Sequence, residues 1–347
     1  MNMPLHGVRI VEFEGIGPGP LAGRMLSGMG ADVTLIARPV ASPVTKQFSS
    51  DEPSEIERGK RRIVLDLKRD DHRAQAMDLV AGADALIEGL RPGVMERLGL
   101  GPADCAKRNP ALVYGRITGW GQSGPLAHAA GHDLNYVALS GLLSLSRRSG
   151  QPPIVPPTVL GDAAGALGLA FGIVCALLQA RATRRGRVVD AAIVDIAAML
   201  GTIAHWVRAS GQLDGSQPSP FHDSPFYDVF QCSDGGYITI AALEPTFYAL
   251  LLEKIGLRDI DPTAQYDAAL WPALKARIRA IFAQRPRDEW RALLEGTDVC
   301  FAPVLSVDEA ARHPHNLSRA NFVDRAGMVY GAAAPRFEPL EDGASDS

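Results

Sequence analysis

The sequence predicts an α/β protein in which helices cover a parallel sheet, followed by a second and smaller α+β unit. Short apolar runs of β type alternate with helical segments through the first half of the chain. The length of 347 residues exceeds the usual size of a single core. A hairpin signal opens a new unit near Pro225. We therefore expect about two domains.

The first unit begins with strand, helix and strand in turn. Residues 8–13 are predicted to form a strand, 21–29 a helix and 33–36 the next strand. Three further β-type runs follow, at 63–67, 85–87 and 112–114. Because helical segments separate these strands, we expect them to pair in parallel.

The loop after the first strand contains a G-x-G-x-x-A pattern from Gly17 to Ala22. This pattern occurs in dinucleotide-binding proteins, and Arg38 stands after the second strand, where such proteins meet a 2′-phosphate. Pro18 and Pro20, however, each remove an N–H from the loop that would cradle the pyrophosphate. Nicotinamide binding is therefore the weaker alternative.

A long apolar stretch from 163 to 180 carries no charge and approaches the length of a membrane span. Asp162 precedes it and Arg181 follows it, and an acidic start with a basic end is typical of a buried helix. We predict a core helix and no membrane association. Residues 186–190 then indicate a turn that leads into another helix ending at Met199.

The small domain is expected at residues 225–305, after a linker at 201–224 whose second half is rich in Gly, Ser, Pro and Asp. Its predicted elements are strands at 226–230 and 237–240, joined by a turn at Asp234 and Gly235, and helices at 246–255, 271–283 and 286–294. We expect residues 306–347 to return to the large domain, which otherwise spans residues 1–200.

Composition excludes several classes of function. A net charge of −4 gives no support for a nucleic-acid partner, because nucleic-acid-binding domains usually carry a basic face. The four cysteines have no metal-ligand spacing, so we expect them to be reduced and buried and predict no metal site. The first residues lack a basic start and a long apolar run, which predicts a cytoplasmic protein.

Three titratable side chains stand in contexts suited to proton transfer. His132 lies in Gly131-His132-Asp133-Leu134, where a loop enters a predicted helix, and backbone N–H groups at a helix start stabilise negative charge. Asp162 and Glu244 could supply a second acid or base and an orienting group. Structural alternatives stay open: a capping histidine, an N-cap at Asp162, and a helical first turn at Glu244 and Pro245.

An ordered set of motifs carries a family resemblance. The motifs are VYGRITGWGQSGP at 113–125, GHDLNY at 131–136, GIGPGP at 15–20, RPGVMERLG at 91–99, EPTFY at 244–248, GTDVC at 296–300 and PVL at 303–305. Together they resemble the family III CoA-transferase superfamily (CaiB/BaiF-like), and within it the racemases of 2-methylacyl-CoA thioesters. The chain departs from the family at Ala163, Ala164 and Ala166, where more glycine is usual, so the resemblance leaves open which acyl chains the site accepts.

The resemblance implies a Rossmann-like large domain, a small domain and an interlocked homodimer with active sites between the two chains. It implies that the enzyme interconverts (2R)- and (2S)-2-methylacyl-CoA thioesters through an enolate, with acyl-CoA as substrate and no further cofactor. His132 and Asp162 would be the two proton-transfer groups and Glu244 of the partner would assist His132. The backbone N–H of Asp133 would bind the thioester oxygen.

The resemblance also implies that Arg38 and Arg91 bind CoA phosphates. Lys60, Arg61 and Arg62 form a nearby basic cluster, which either binds CoA as well, through Lys60 and Arg61, or is a solvated turn before a strand. Three rival functions remain open. They are a CoA-transferase of the same superfamily with Asp162 as nucleophile, a silent CoA-binding protein, and a nicotinamide-dependent dehydrogenase.

Overall fold

The computed structural model describes residues 3–40, 47, 54–146, 151–213 and 217–338. Its internal contacts divide the chain into two units. The first unit comprises residues 1–202 together with 333–347, and the second is Ile203–Ala332.

A six-stranded sheet with every strand parallel forms the centre of the first unit. Its strands are β1 (Arg9–Phe13), β2 (Asp32–Ala37), β3 (Lys60–Val64), β4 (Ala85–Glu88), β5 (Val113–Thr118) and β6 (Val188–Ala192). Their order in the sheet is β3-β2-β1-β4-β5-β6, so the direction of winding reverses between β1 and β4. This is the Rossmann order, and the predicted α/β class is confirmed.

Helices cover the sheet and hold the loops at its edge in position. The helices are α1 (Pro18–Gly28), α2 (Asp70–Ala81), α3 (Val94–Arg97), α4 (Pro102–Arg108), α5 (Asp133–Leu139), α6 (Leu142–Leu145), α7 (Ala164–Thr183) and α8 (Ile193–Leu200), with a 3₁₀ turn at Glu55–Glu57 and a wide π turn at Val159–Ala163. A further helix, α9 (Thr202–Arg208), spans the boundary between the units.

Both faces of the sheet are buried. Ile87 of β4 lies on one face, in a core with Leu26 of α1 and Ile173 of α7. Its neighbour Leu86 lies on the other face, in a second core with Val80 of α2. Successive strand residues point to opposite faces, so a strand covered on both sides reads as an uninterrupted apolar run. This is why the central strands were recognisable from the sequence.

Two strands at the edges of the sheet differ from the prediction. The segment expected to be a turn at 186–190 instead contributes to β6, which pairs in parallel with β5 from Tyr114 opposite Val188. The strand expected at 63–67 is β3, and it begins at Lys60. Both strands lie at an edge and contain charged residues, so apolar patterning does not mark them.

The second unit contains a three-stranded antiparallel sheet. The strands are β7 (Tyr227–Gln231), β8 (Tyr237–Ala241) and β9 (Phe301–Val304), and the order is β7-β8-β9. The helices are α10 (Pro245–Lys254), α11 (Trp271–Phe282), α12 (Arg287–Leu294), α13 (Val307–Arg312) and α14 (Pro314–Ser318), with a 3₁₀ turn at Pro262–Ala264. A two-stranded antiparallel ribbon, β10 (Phe322–Arg325) and β11 (Met328–Gly331), follows. The predicted hairpin is present as β7 and β8.

The second unit is longer than the small domain expected at 225–305. The segment after residue 305 stays with it, because Arg287 of α12 forms an ion pair of 2.5 Å with Glu309 of α13. His313 also contacts Glu295, with 2.8 Å between its Nε2 and the nearer carboxylate oxygen. The expected return to the first unit therefore begins at Ala333 and not at residue 306. The segment expected to be a linker at 201–224 starts with helix α9.

One stretch of the described residues, Val159–Thr183, is long and apolar enough to cross a membrane by length and composition. One face of α7 lies in the core, where Leu169 and Ile173 are fully buried. The opposite face exposes Leu167, Phe171 and Leu178, which are 52%, 70% and 65% accessible. The predicted core helix is thus half covered, and its other face is an apolar stripe.

Candidate active site

A cleft of about 330 Å³ opens where the strand order reverses, beyond the carboxyl ends of β1, β4 and β5. This is where ligands bind in open parallel sheets. Residues from four loops line it, among them Gly15, Pro18, Gly89, Arg91, Thr118, Trp120, Gly131, His132, Tyr136 and Asp162. The cleft therefore brings together His132 and Asp162, which are 30 positions apart in the sequence.

His132 is the N-cap residue of α5, as the loop-to-helix pattern predicted. Its extended backbone, with φ −135° and ψ 174°, ends the loop, and its N–H donates to the Asn135 side-chain oxygen at 3.0 Å. The following N–H, that of Asp133, is the first of the helix and has no acceptor within it. The imidazole of His132 and the backbone N–H of Asp133, which has no acceptor within the helix, thus lie on consecutive residues beside the cleft.

Asp162 lies in the π turn that precedes α7, and its carboxylate lines the cleft. The N-cap of α7 is Ala163, so the capping interpretation of Asp162 is wrong. Burial raises the pKa of Asp162 to about 6; the negative charge of Asp133 adds to the rise and His132 opposes it. A carboxyl group with such a pKa holds a proton in part of the molecules near neutral pH, as a general acid requires.

The glycine-rich loop after β1 lies directly against Asp162. Gly17 has φ +72°, and a Cβ placed on it would lie 2.8 Å from Oδ2 of Asp162. Glycine is therefore required for both the backbone conformation and the close approach. A carboxylate at this place repels the pyrophosphate that a dinucleotide-binding loop must hold, which argues further against nicotinamide binding.

Two aromatic side chains form one wall of the cleft. Tyr136 of α5 donates a hydrogen bond from its hydroxyl to the carbonyl of Gly131, and its ring meets Trp120 edge-on at a centroid distance of 4.7 Å. Burial raises the pKa of Tyr136, with Asp162 adding to the rise. The hydroxyl thus stays neutral and fixes the residue before His132.

The loop that carries Arg91 is fixed by a buried carboxylate. Glu88 has a fully buried side chain; it accepts from Arg116 Nε at 2.8 Å and from the Leu90 N–H at 2.7 Å. Arg116 extends the network to Glu96, at 2.8 Å. Arg91 itself lines the cleft and is exposed. The prediction that Arg91 meets a CoA phosphate is compatible with this position.

The other predicted CoA ligands lie outside the cleft lining. Arg38 is exposed after β2, with its backbone N–H bonded to a carboxylate oxygen of Glu14 at 2.5 Å. Arg61 is exposed on β3 and donates to the Thr34 hydroxyl at 2.9 Å. Both guanidinium groups remain accessible, so both assignments stay predictions.

Lys60 requires a correction. Its side chain is fully buried, with Nζ 2.7 Å from a carboxylate oxygen of Glu12 and 2.8 Å from the carbonyl of Pro20. Burial lowers the pKa of Lys60 and raises that of Glu12 to about 7, and each partner opposes the shift of the other. Lys60 therefore ties β3 to β1 and to the start of α1, and it is not available to a CoA phosphate.

Glu244, the third predicted catalytic group, belongs to the second unit. It is the N-cap residue of α10, followed by Pro245, but its side chain makes no capping hydrogen bond. The segment before it is held by Gln265, whose amide donates to the carbonyls of Ala242 and Leu243 at 3.0 Å each. The carboxylate is therefore not used for capping, and its meeting with His132 remains a prediction.

Among the described residues, His, Cys, Asp and Glu side chains form no cluster able to hold a metal ion. All four cysteines are free; Cys105 and Cys232 are buried and Cys300 is partly buried. Cys175 is exposed, so the expectation that every cysteine is buried is wrong.

Sequence reasoning missed the groups that hold the site together. The carboxylates of Asp133 and Glu88 accept backbone N–H groups of neighbouring loops, and Tyr136 fixes Gly131. For Asp133, the sequence predicts a role only for the backbone N–H. A charged residue inside an otherwise apolar strand, as at Glu88, is the one signal in the sequence that could have pointed to such a role.

The sheet order and the cleft at its reversal point define a Rossmann-type α/β protein, in which a histidine and a carboxyl group of raised pKa line one cleft. The chain belongs to CoA-transferase family III, whose sequence profile matches residues 5–339. The resemblance drawn from the motifs is thereby confirmed.

Two racemases and a solved structure are similar to this chain over nearly its whole length. Alpha-methylacyl-CoA racemase of Mus musculus is 39% identical over 97% of this chain and 86% of its own length. The Homo sapiens enzyme of the same name is 38% identical over 92% and 83%. The crystal structure of a CAIB/BAIF family protein from Brucella suis superposes with a TM-score of 0.83 at 28% identity, covering 97% of this chain and 93% of that one.

Proposed function

We propose that this protein is a racemase that interconverts the (2R) and (2S) epimers of 2-methylacyl-CoA thioesters. The observation that carries the proposal is the presence of His132 and Asp162 in one cleft at the carboxyl edge of the sheet. The identity of 39% and 38% to racemases over most of the chain supports it independently.

The reaction needs a base on one side of the thioester α-carbon and an acid on the other. In the proposed mechanism His132 removes the α-proton, and a protonated Asp162 returns a proton to the opposite face of the planar enolate. The raised pKa of Asp162, about 6, supplies the protonated carboxyl. Exchanging these two roles converts the other epimer.

The enolate oxygen needs a donor, because the α-hydrogen of a thioester is a much weaker acid than imidazolium. The backbone N–H of Asp133, the first of α5, is suited to this role. Loss of one such donor typically costs about 3 kcal/mol in the barrier. Acyl-CoA is the substrate in this scheme, and no metal or redox cofactor takes part.

CoA binding is proposed to use exposed arginines. Arg91 at the cleft, together with Arg38 and Arg61, would meet the phosphates, for which the guanidinium fork is well suited. Arg91→Ala should raise the KM for acyl-CoA with little change in kcat, because the phosphates are bound equally in ground and transition states. An unchanged KM would remove Arg91 from the phosphate site.

We also propose a homodimer, in which Glu244 of one chain assists His132 of the other by favouring the charged imidazole. The apolar stripe of Leu167, Phe171 and Leu178 on α7 supports an interface between copies, since these side chains recur on one helix face. Phe171→Asp should shift the sedimentation coefficient to that of a monomer.

A cytoplasmic location is kept as a prediction from the sequence.

A CoA-transferase is the second candidate, because the family takes its name from that activity. Asp162 would then attack the thioester as a carboxylate nucleophile. With a pKa of about 6, Asp162 is ionised in most molecules at neutral pH and protonated in the rest, so its titration is compatible with either function and an assay must separate them.

Incubation of an acyl-CoA with a second free acid separates the two functions. The racemase converts one epimer into the other and forms no new thioester, whereas the transferase moves CoA to the second acid and leaves C2 unchanged. We expect His132→Ala and Asp162→Ala each to abolish epimerisation while circular dichroism stays that of the parent. Formation of the new CoA thioester without epimerisation would refute the proposal.

A further inference from the structure

The side chain of Asp133 points away from solvent and binds the turn that carries Asp162. Asp133 is 8% exposed. Its Oδ1 accepts the N–H of Asp162 at 2.7 Å, and its Oδ2 accepts the N–H of Thr158 at 3.1 Å. One carboxylate thus holds both ends of the π turn between these two residues.

The π turn is shaped to fit this carboxylate. It is closed by a bond of 2.9 Å from the Ala163 N–H to the Thr158 carbonyl, and Thr158 has a left-handed φ of 64°. A Cβ on Gly161 would lie 2.3 Å from Oδ1 of Asp133, so only glycine allows the approach. The wide turn and the strained Thr158 persist because the buried carboxylate satisfies the backbone groups that they leave free.

Helix α5 is therefore connected to both proton-transfer groups. His132 is its N-cap residue, and Asp133, the next residue, bonds to the N–H of Asp162. One turn later, Tyr136 bonds back to the carbonyl of Gly131 and fixes the loop before His132. The spacing of the two groups across the cleft thus depends on a single helical turn.

We infer that the Asp133 carboxylate is a positioning residue, which sets the distance and the orientation of Asp162 relative to His132. The inference rests on the proposed racemase function for its catalytic consequence. It concerns the side chain alone and is separate from the backbone N–H of the same residue, which a side-chain substitution leaves in place.

The charge of Asp133 gives this arrangement a second effect. Burial is the largest cause of the raised pKa of Asp162. The negative charge of Asp133 raises this pKa further, and His132 lowers it. Of the other charged or titratable groups near this turn, Tyr136 and Arg91 face the cleft, and Asp195 on α8 is exposed. Removing the Asp133 charge should therefore move the pKa of Asp162 downwards.

Asp133→Asn tests the inference with almost no change of shape. An amide offers only one acceptor oxygen, so it cannot bind the N–H groups of both Thr158 and Asp162. We expect kcat to fall about 10- to 100-fold, as for a misplacement of about 1 Å, with the KM for acyl-CoA within about twofold of the parent. The Asp162 pKa, followed by carboxyl ¹³C NMR with Asp162→Asn for assignment, should fall below about 6.

Asp234→Asn is the matched control. Asp234 also binds two backbone N–H groups with its carboxylate, those of Gly236 at 3.1 Å and Arg287 at 3.0 Å, but it lies in the second unit. The chemical change is the same as at Asp133. We expect parent-like kcat and an unchanged Asp162 pKa in this variant.

Gly161→Ala provides a second variant should Asp133→Asn not fold. The added Cβ pushes against Oδ1 of Asp133 and disturbs the contact while both charges remain, so kcat should fall with a smaller change in the Asp162 pKa. Parent-like kcat and pKa in Asp133→Asn, or parent-like kcat in Gly161→Ala, would overturn the inference. Should the parent show no racemisation, the titration of Asp162 still decides whether Asp133 acts on it.

Discussion

Replacing Asp162 with asparagine should make the variant gain stability relative to the parent as the pH rises from 4 to 7.5, while it abolishes the proposed proton transfer. The folded protein holds the Asp162 proton up to a pKa of about 6, whereas the unfolded chain releases it at 3.8. Between these values the folded state binds more protons than the unfolded state, so the free energy of unfolding falls as the pH rises. Because asparagine does not titrate, the variant does not undergo this fall in the free energy of unfolding.

The size of the effect follows from the two pKa values. A shift of roughly two units, at 1.36 kcal/mol each, corresponds to at most about 3 kcal/mol. Asp162 is only partly buried, and solvent screens part of its interaction with Asp133 and His132. We therefore expect about 1–2 kcal/mol of relative stabilisation of the variant on going from pH 4 to pH 7.5.

Urea unfolding followed by tryptophan fluorescence at pH 4 and pH 7.5 measures this difference. Asp234→Asn serves as the control, because backbone N–H bonds from Arg287 and Gly236 lower the pKa of Asp234 below its ordinary value of 3.8. In both states of the parent most of this titration is complete by pH 4, so the stability of this variant relative to the parent should be almost the same at the two pH values. A stability difference between Asp162→Asn and the parent that is independent of pH, or that shifts in favour of the parent as the pH rises, would refute the reasoning.

Two further substitutions test the surroundings of the site. Gly17→Ala places a Cβ 2.8 Å from Oδ2 of Asp162 at a φ of +72°, so kcat for epimerisation should fall about 100-fold; a parent-like kcat would show that this contact is not needed. Lys60→Met leaves Glu12 buried without its partner, so urea unfolding should show a loss of about 3–5 kcal/mol, with an unchanged KM in the folded fraction. A raised KM with parent-like stability would restore Lys60 as a CoA ligand.

The central strands could be predicted because burial on both faces leaves a plain apolar signal. Residues 10–13 and 85–87 are buried without interruption, and the prediction located both. The edge strands could not be located in the same way. The first three residues of Val188–Ala192 are exposed or half-buried and follow a glycine and an arginine, so they are indistinguishable from a turn in the sequence. Only its pairing with β5 makes it a strand.

The proposed proton-transfer groups were predictable from local context, but the residues that hold them in place were not. His132 opens a helix and carries a family motif around it, so a short stretch of sequence suffices. The bonds from Asp133 to Thr158 and Asp162 join residues 25 and 29 positions apart, and that from Glu88 to Arg116 joins residues 28 apart. Nothing in local propensity indicates such partners. Lys60 was misassigned for the same reason, because its partner Glu12 is 48 positions away.

The central claim is that His132 and Asp162 exchange the α-proton of an acyl thioester. The most direct measurement is incubation of one 2-methylacyl-CoA epimer in heavy water, with NMR of C2 over time. We predict loss of the C2 proton signal, its replacement by deuterium and growth of the second epimer. Retention of the original hydrogen with no second epimer would contradict the account.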